Sequence, residues 1–158
     1  MATWGELQAQ APELAEGGAQ LLYQFGPGLG YMATIRPDGG PRLHPMCPIL
    51  CDGELWAFIL EVSPKGRDLV RDGRYALHTF GPVDVDDEFY LTGTVAPVDA
   101  DDVQRQRIAD ATTATVGADE EALFRFDIER AMLARYTHRP QWPPAYTIWV
   151  EGQGMTTR

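Results

Sequence analysis

A short segment with two cations at the start of an expected helix is the part of this sequence best suited to bind a ligand. Ser63 is a candidate N-cap, and Pro64 stands at the first helical position, where its missing amide hydrogen costs nothing. Lys65 and Arg67 then fall in the first turn, beside the partly positive helix end. Because an anion would neutralise all three, and helix N-termini bind phosphates, this segment predicts a phosphate-binding turn. A solvated basic turn without a ligand is the alternative interpretation.

The elements around this turn are expected to be strands. Residues 55–62 are apolar and aromatic, which is typical of a buried strand, and residues 75–80 form the next one. An earlier expected strand, residues 42–50, contains Pro45 and Pro48. Since proline donates no ladder hydrogen bond, this strand must lie at an edge, be bulged or face a bound molecule. The prolines are therefore a second indication of a binding site.

The rest of the chain predicts helices at the start and in the late middle. Residues 3–25 read as two helical pieces, the first opened by Thr3 and Glu6 at capping-box spacing. Asp99 is expected to cap a helix over about residues 100–114. The other expected strands are residues 31–36, residues 88–98 with a bulge permitted at Gly93, residues 123–136 with a bulge near Glu129, and residues 145–150.

These elements predict a mainly β protein with flanking helices. Six or seven strands in mostly antiparallel order favour a closed or partly closed barrel, because closure removes exposed edges. One domain is expected over residues 1–158. It would comprise N-terminal helices in 1–27, core barrel strands in 28–98, a helical insert in 99–122, and closing strands and tail in 123–158.

Charge and cysteine content narrow the classes of function. A formal net charge of −10 argues against nucleic-acid binding, which needs clustered cations. The acidic runs 84–88 and 99–102 lack a calcium-loop pattern, so no metal site is expected. With no transmembrane run and no signal peptide, we expect a cytoplasmic protein that does not bind membranes. On one strand Cys47 and Cys51 would be ~13 Å apart, too far for a disulfide, so both are expected to be free thiols.

Three segments, taken together in order and spacing, resemble the pyridoxamine 5'-phosphate oxidase-like flavoproteins. They are YMATIRPDGGPR at residues 31–42, DGELWAF at 52–58 and SPKGRDLVRDGRYALH at 63–78. The resemblance covers about residues 28–98, with a weaker match over 124–149. It implies a split β-barrel, a homodimer, FMN in the cleft between the subunits, and a small-molecule substrate.

The resemblance also implies which residues contact the cofactor. The phosphate-binding turn of the family matches Ser63 and Lys65, with Arg67 on the same turn. His44 matches a basic phosphate or ring contact. The ring edge and the lining of the same pocket would come from Pro45, Met46, Phe58 and Ile59. No catalytic residue is assigned, because a bound flavin would itself supply the redox chemistry.

Departures from the oxidase pattern shape the expected function. Pro64 stands where the oxidase has a basic residue, Ile49 replaces a lysine, and no arginine–histidine pair follows Trp149. We therefore expect an FMN-binding oxidoreductase that is not a true pyridoxamine phosphate oxidase. The alternatives are a reductase that uses 8-hydroxy-5-deazaflavin on the same fold, and a non-catalytic flavin- or haem-binding stress-response module.

The remaining histidines and tryptophans are weighed against structural roles. His78 is expected in the core or an interface, whereas His138, in a loop with Trp142, could lie over a partner's cleft. Trp56 and Trp149 are interpreted as core or interface anchors. A serine hydrolase is set aside because no G-x-S-x-G motif occurs, and no dinucleotide fingerprint stands between a strand and a helix.

Overall fold

The computed structural model describes residues 1–136 and 144–158. His138 and Trp142 lie outside the described residues. The described part of the chain contains four helices and nine strands: α1 (Trp4–Gln10), α2 (Pro12–Leu22), β1 (Gly30–Ile35), β2 (Pro41–Met46), β3 (Ile49–Cys51), β4 (Glu54–Leu60), α3 (Pro64–Arg71), β5 (Arg74–Thr79), β6 (Glu88–Val98), α4 (Asp102–Asp110), β7 (Glu121–Arg135), β8 (Ala145–Val150) and β9 (Gly154–Thr157). Among these elements, no helix is both long and apolar enough to cross a membrane.

The strands differ in length and form one sheet, in which every described pairing is antiparallel. Its order is β2-β1-β5-β6-β7-β4-β3, and β8 pairs with β7 while β9 pairs with β8. The expected mainly β, antiparallel architecture is confirmed. The expected six or seven strands are too few, because residues 49–51 form a strand of their own and β9 follows a turn that contains Gly152 at φ +74°.

The two edges of this sheet are linked by a very short stretch of chain. β2 lies at one edge and β3 at the other, yet β2 ends at Met46 and β3 begins at Ile49. Three Cα–Cα steps span at most ~11 Å. The sheet must therefore curl until its edges nearly meet, without hydrogen bonds joining them, which is a split barrel.

The expectation of one return strand over residues 42–50 is wrong. Residues 41–46 pair with β1, whereas residues 49–51 pair with β4, and Pro48 lies in the gap between them. Pro45 lies on β2, which among the described strands pairs only with β1 and is thus an edge strand. Of the three explanations for a proline in this strand (an edge position, a bulge or a bound molecule), the edge position is the one found at Pro45.

The barrel interior and the first two helices share one hydrophobic core. Leu7 and Leu14 of α1 and α2 join it, as does the fully buried Trp149 of β8. A Cβ at Gly18 would overlap the ring of Phe89, so the paired glycines of α2 allow the helix to lie close against the sheet. The expected capping box of Thr3 and Glu6 at the start of α1 is confirmed.

The long strands β6 and β7 are bulged where the sequence indicates. Gly93 pairs with Ile128 and Thr92 with Arg130, so Glu129 has no partner in the register. A Cβ at Gly93 would collide with the carbonyl of Asp127, which explains the glycine. By contrast, the expected helix over residues 100–114 is shorter, Asp102–Asp110, and its N-cap is Asp101, whose carboxylate accepts from the Gln104 amide at 2.8 Å.

Candidate functional site

The start of α3 is built as the sequence indicates, with Ser63 as N-cap and Pro64 at the first helical position. Ser63 Oγ accepts a hydrogen bond from the Gly66 amide at 3.0 Å and donates one to the Leu60 carbonyl at 2.6 Å. The hydroxyl is thus engaged on both sides by the turn's own backbone. Ser63 shapes the turn, and its proton is already committed within the chain.

Gly66 is a residue of this turn that sequence reasoning missed. A Cβ at Gly66 would lie 2.8 Å from Glu61 Cα and closer still to the Leu60 carbonyl oxygen. These are backbone atoms that cannot move aside. Glycine therefore lets the helix start fold tightly against the end of β4. The signal in the sequence was a glycine one residue after Lys65, in a first helical turn where it has no intrinsic advantage.

Lys65 joins this turn to the edge strand β2. Its Nζ donates to the carbonyl oxygen of Pro45 at 3.3 Å, so the start of α3 reaches across to the far edge of the sheet. Partial burial lowers the pKa of Lys65, and the nearby Cys47 and Glu121 oppose that shift. Arg67, two residues after Lys65, is exposed and makes no ion pair with any residue that the structure describes.

His44 lies on the inner side of β2. Its register partner, Met32, is fully buried, and the alternation of the strand places Met46 on the same side. His44 Nε2 is buried and lacks a hydrogen-bond partner within the described chain. Burial lowers the pKa of His44, and the positive charges of Lys65 and Arg42 lower it further. The lowered pKa favours the neutral imidazole, whose buried Nε2 has no hydrogen-bond partner among the described residues.

Asp68 forms a buried ion-pair cluster beside these residues. Its side chain is 2% exposed and accepts hydrogen bonds from Thr34 Oγ1 at 3.0 Å, Arg42 Nε at 2.8 Å and Arg71 Nη1 at 3.1 Å. Burial alone would raise the pKa of Asp68, but the hydrogen bonds from Arg42, Arg71 and Thr34 outweigh it and hold the pKa below its usual range. The cluster fastens α3 to β1 and β2, and Arg71 adds a bond to the Ile35 carbonyl.

The other expected cofactor contacts lie apart from one another within this chain. Ile59 is buried in the main core, whereas Phe58 faces the opposite side of β4, where the guanidinium of Arg105 lies 5.2 Å from its ring centre. Met46 is buried in the main core. Thus the structure brings Ser63, Lys65, Pro45 and His44 together, leaves Arg67 exposed beside them, and separates Phe58 from Ile59.

Two shallow hollows beside α4 lie away from this turn. Their lining cations are already paired: Arg105 donates to the Glu121 carbonyl at 2.9 Å, and Arg107 binds Asp52 at 2.9 Å. The rest of the lining is largely acidic or neutral, including Asp102 and Asp110. These hollows therefore offer no free cation to an anionic ligand, unlike the α3 turn.

An exposed, largely apolar patch borders the turn at Pro45. We call it the outer patch; it consists of residues directly opposite one another on the outer side of β2, β1 and β5, namely Leu43, Pro45, Tyr31, Ala33, Ala76 and His78. Leu43 is 65% exposed and Tyr31 43%, and the Tyr31 ring stacks on Phe80 at 4.3 Å. A cluster of exposed apolar side chains of this kind is typical of an interaction surface.

The expected structural roles of the tryptophans and cysteines agree with the structure. Trp56 and Trp149 are both buried, and their indole nitrogens donate to the Cys51 carbonyl and to Gln10. Cys47 and Cys51 are both free. No group of metal-ligating side chains occurs among the residues for which the structure gives positions.

Comparison with known proteins identifies the fold. No protein-family model and no curated protein sequence matches this chain. A pyridoxamine 5'-phosphate oxidase-related, FMN-binding protein from Nostoc punctiforme PCC 73102 superposes with a TM-score of 0.65 at 12% identity, over 96% of this chain and 95% of that one. A haem-binding protein from Mycobacterium smegmatis gives 0.63 at 15% identity, over 90% of this chain but only 57% of that one.

General Stress Protein 26 from Bacillus anthracis str. Sterne is a third similar structure, with a TM-score of 0.58 at 15% identity over 75% of this chain and 91% of that one. Identities at this level establish the fold alone. The chain has the split-barrel fold of the pyridoxamine 5'-phosphate oxidase-like proteins, so the resemblance stated from the sequence is confirmed at the level of the fold.

Proposed function

We propose that this protein binds FMN at the α3 turn and acts as a flavin-dependent oxidoreductase on a small molecule other than pyridoxamine phosphate. The observation that carries the proposal is that Lys65 reaches the carbonyl of Pro45 on the edge strand β2, next to His44, whose buried Nε2 has no hydrogen-bond partner among the described residues. A fold shared with an FMN-binding protein from Nostoc punctiforme supports it. Three departures from the oxidase pattern support a different substrate: Pro64, Ile49 and the lack of an arginine–histidine pair after Trp149.

The phosphate would be held by Lys65 and Arg67. Lys65 uses one of its three ammonium hydrogens on Pro45, and Arg67 has no ion-pair partner among the described residues. Arg42 and Arg71, in contrast, are committed to Asp68. The free cations of this region therefore lie at the helix start, where the helix dipole also favours an anion.

The ring system would lie along β2 beside His44. An unpaired buried polar atom costs about 1–3 kcal/mol, so a hydrogen bond from a ligand to Nε2 would be favourable. A neutral imidazole can donate or accept that bond, depending on its tautomer. Pro45 and Met46 would add backbone contacts along the same strand. When bound, FMN would supply electron-pair transfer to or from the substrate, while these residues hold and orient it.

We propose that the cleft is completed by a second copy of the chain. The outer patch meets the α3 turn at Pro45, and its exposed Leu43 and Tyr31 suit an apolar interface. The two free cysteines fit a reducing compartment and thus the cytoplasm.

A non-catalytic haem-binding module is the second candidate. A haem-binding protein of the same fold overlaps 90% of this chain, and a neutral histidine with an open ring nitrogen is a suitable iron ligand. In that case His44 would hold the iron, and Lys65 and Arg67 would face the propionates. The same residues thus serve either cofactor, and only the identity of the bound molecule separates the two candidates.

The test is the absorption spectrum of the purified protein, followed by titration with FMN, haem and 8-hydroxy-5-deazaflavin. FMN-dependent function predicts flavin absorption bands, release of FMN on denaturation, and reduction of the bound flavin by a nicotinamide or another donor. A Soret band that shifts in His44→Ala would instead favour the haem module. Uptake of the deazaflavin in preference to FMN would favour the alternative reductase, and uptake of none of the three would contradict the proposal.

A further inference from the structure

We propose that Asp68 is a positioning residue: through Thr34 and Arg42 it holds α3 across β1 and β2 in the orientation that presents Lys65 to the anionic group of the ligand. The inference rests on the proposed function, since it presumes an anion at Lys65. It concerns a carboxylate that would not touch the ligand and that no feature of the sequence marked as functional.

Two anchors on α3 face the same strand. Lys65 and Asp68 are three residues apart and lie on one side of the helix, and their partners Pro45 and Arg42 are also three residues apart on β2. Lys65 to Asp68 rises ~4.5 Å along the helix, while Arg42 to Pro45 extends ~10 Å along the strand. The long side chains of Arg42 and Lys65 bridge this difference. The orientation of α3 is therefore fixed at two points on β2, of which the Asp68 pair at 2.8 Å is the shorter.

The Lys65 anchor is weak without the Asp68 anchor. The Lys65–Pro45 bond measures 3.3 Å, near the long limit for a hydrogen bond, and joins a flexible side chain to a backbone carbonyl. The Asp68 bonds involve a nearly fully buried carboxylate, the hydroxyl of Thr34, which is itself 1% exposed, and two guanidinium groups. Charge-assisted bonds in such surroundings are the stronger kind. Asp68 therefore determines where Lys65 stands.

Electrostatics and positioning make opposite predictions for the removal of this charge. Asp68 is an anion close to the proposed phosphate site, so replacing it by Asn adds one net positive charge there. If only charge mattered, FMN would bind more tightly to Asp68→Asn. If Asp68 positions Lys65, FMN should bind less tightly in spite of the added charge. The sign of the change thus separates the two roles.

Binding of a second ligand distinguishes the positioning of Lys65 from a purely structural role of Asp68. Riboflavin carries the same ring system as FMN without the phosphate, so the ratio of the two affinities reports on the phosphate contact alone. General loosening of the fold would weaken both ligands equally and leave the ratio unchanged. Displacement of Lys65 would weaken FMN and leave riboflavin nearly as it was.

A matched control is available on the same helix. Asp72 is the C-cap of α3, and its carboxylate pairs with the exposed Arg74 at 2.7 Å. Asp72→Asn removes the same charge from the same helix and leaves the Asp68 cluster whole. Thr34→Val removes one hydrogen bond to Asp68 without changing any charge. It tests the same positioning role if Asp68→Asn does not fold.

The experiment is an equilibrium titration of FMN and of riboflavin into wild type, Asp68→Asn, Asp72→Asn and Thr34→Val, with folding checked by circular dichroism. We expect Asp68→Asn to lose about tenfold of the FMN-over-riboflavin preference. Thr34→Val should lose a smaller part of it, and Asp72→Asn none. An unchanged or tighter FMN affinity in Asp68→Asn, or an equal fall for both ligands, would overturn the inference. Wild-type protein without any preference for FMN would overturn the proposed function, and this inference with it.

Discussion

Helices α3 and α4 are both short and N-capped, but their first turns carry opposite charges. α4 is capped by Asp101, has Asp102 in its first turn and Arg107 in its last, an order that matches the helix dipole. α3 has no acid in its first turn and carries Lys65 and Arg67 there instead. The first turn of α4 is therefore neutralised by its own acids, whereas the first turn of α3 carries two cations and no acid.

The same contrast appears in how the two helices attach to the barrel. α4 packs through Ile108 onto a small apolar cluster, and Arg105 lies over the ring of Phe58. α3 also buries an apolar side chain, Leu69, but it is held in addition by the buried carboxylate of Asp68, whereas the Arg107–Asp52 ion pair of α4 is exposed. An ionic attachment fixes direction more strictly than an apolar contact, because hydrogen bonds to a carboxylate have preferred geometry. The comparison therefore supports the proposal that α3 serves binding, while α4 packs on the barrel through Ile108.

The largest effect on stability is expected from Asp68→Asn. Removing one partner of a buried ion pair costs about 3 kcal/mol, and here it leaves Arg42 and Arg71 without their anion. Because the folded-state pKa of Asp68 lies below the unfolded value of about 3.9, this stability is present above that pH. It is lost as the pH falls through the folded-state pKa.

Urea unfolding of wild type and Asp68→Asn at pH 7 and at successively lower pH measures this contribution. The difference in unfolding free energy between the two proteins should be largest at pH 7 and should shrink in acid. A difference that stays constant with pH would show that the carboxylate charge is not what stabilises α3.

Lys65→Ala compared with Arg107→Ala tests the free cation of α3 against the paired cation of α4. Loss of a charge-assisted phosphate contact is expected to cost about 1.5–3 kcal/mol in FMN binding for Lys65→Ala. Arg107, which pairs with Asp52 on the surface, should leave FMN affinity unchanged. Calorimetric titration measures both, and equal affinities in all three proteins would place the phosphate elsewhere.

Gly66→Ala tests the close approach of α3 to β4. The added methyl group would overlap the backbone of Leu60 and Glu61, and forced overpacking of this kind costs about 1–3 kcal/mol. We expect a lower melting temperature together with weaker FMN binding, because the whole turn must shift. Gly81→Ala is the control, since no atom of residues 1–136 or 144–158 lies within 4 Å of its Cβ position and its φ is not left-handed. Equal melting temperatures for the two variants would contradict the close approach.

Removal of the two N-caps should have the smallest effects and still distinguish the helices. Ser63→Ala and Asp101→Ala each delete a side-chain bond to a first-turn amide, which is worth about 1 kcal/mol. We expect similar losses of stability by thermal unfolding, with a loss of FMN affinity only for Ser63→Ala. If Asp101→Ala weakened FMN as much, α4 would belong to the site.

Local chemistry made much of the fold predictable from the sequence. The Ser63–Pro64 start of α3 and the bulge at Gly93 depend on neighbouring residues, and both are found. The break of residues 42–50 into two strands was missed, because both halves are extended and only the choice of partner strand distinguishes them. Asp99 was predicted as the N-cap in place of Asp101, because three of the residues 99–102 are aspartates and each is an equally good cap by residue type.

The candidate site was predictable only in part for a similar reason. Charges on one turn, such as Lys65 and Arg67, can be read from spacing. The bonds from Asp68 to Thr34 and Arg42 join residues 34 and 26 positions apart, and no local pattern marks them. Likewise, the resemblance assigned Phe58 and Ile59 to one pocket, although successive strand residues point to opposite faces.

The most direct test of the central claim is a crystal structure of the protein with FMN. We expect the phosphate within hydrogen-bond distance of Lys65 Nζ, the ring beside His44 and Pro45, and a second copy of the chain covering the outer patch. A phosphate bound away from the α3 turn, or FMN held by a lone monomer with that turn closed against its own barrel, would contradict it.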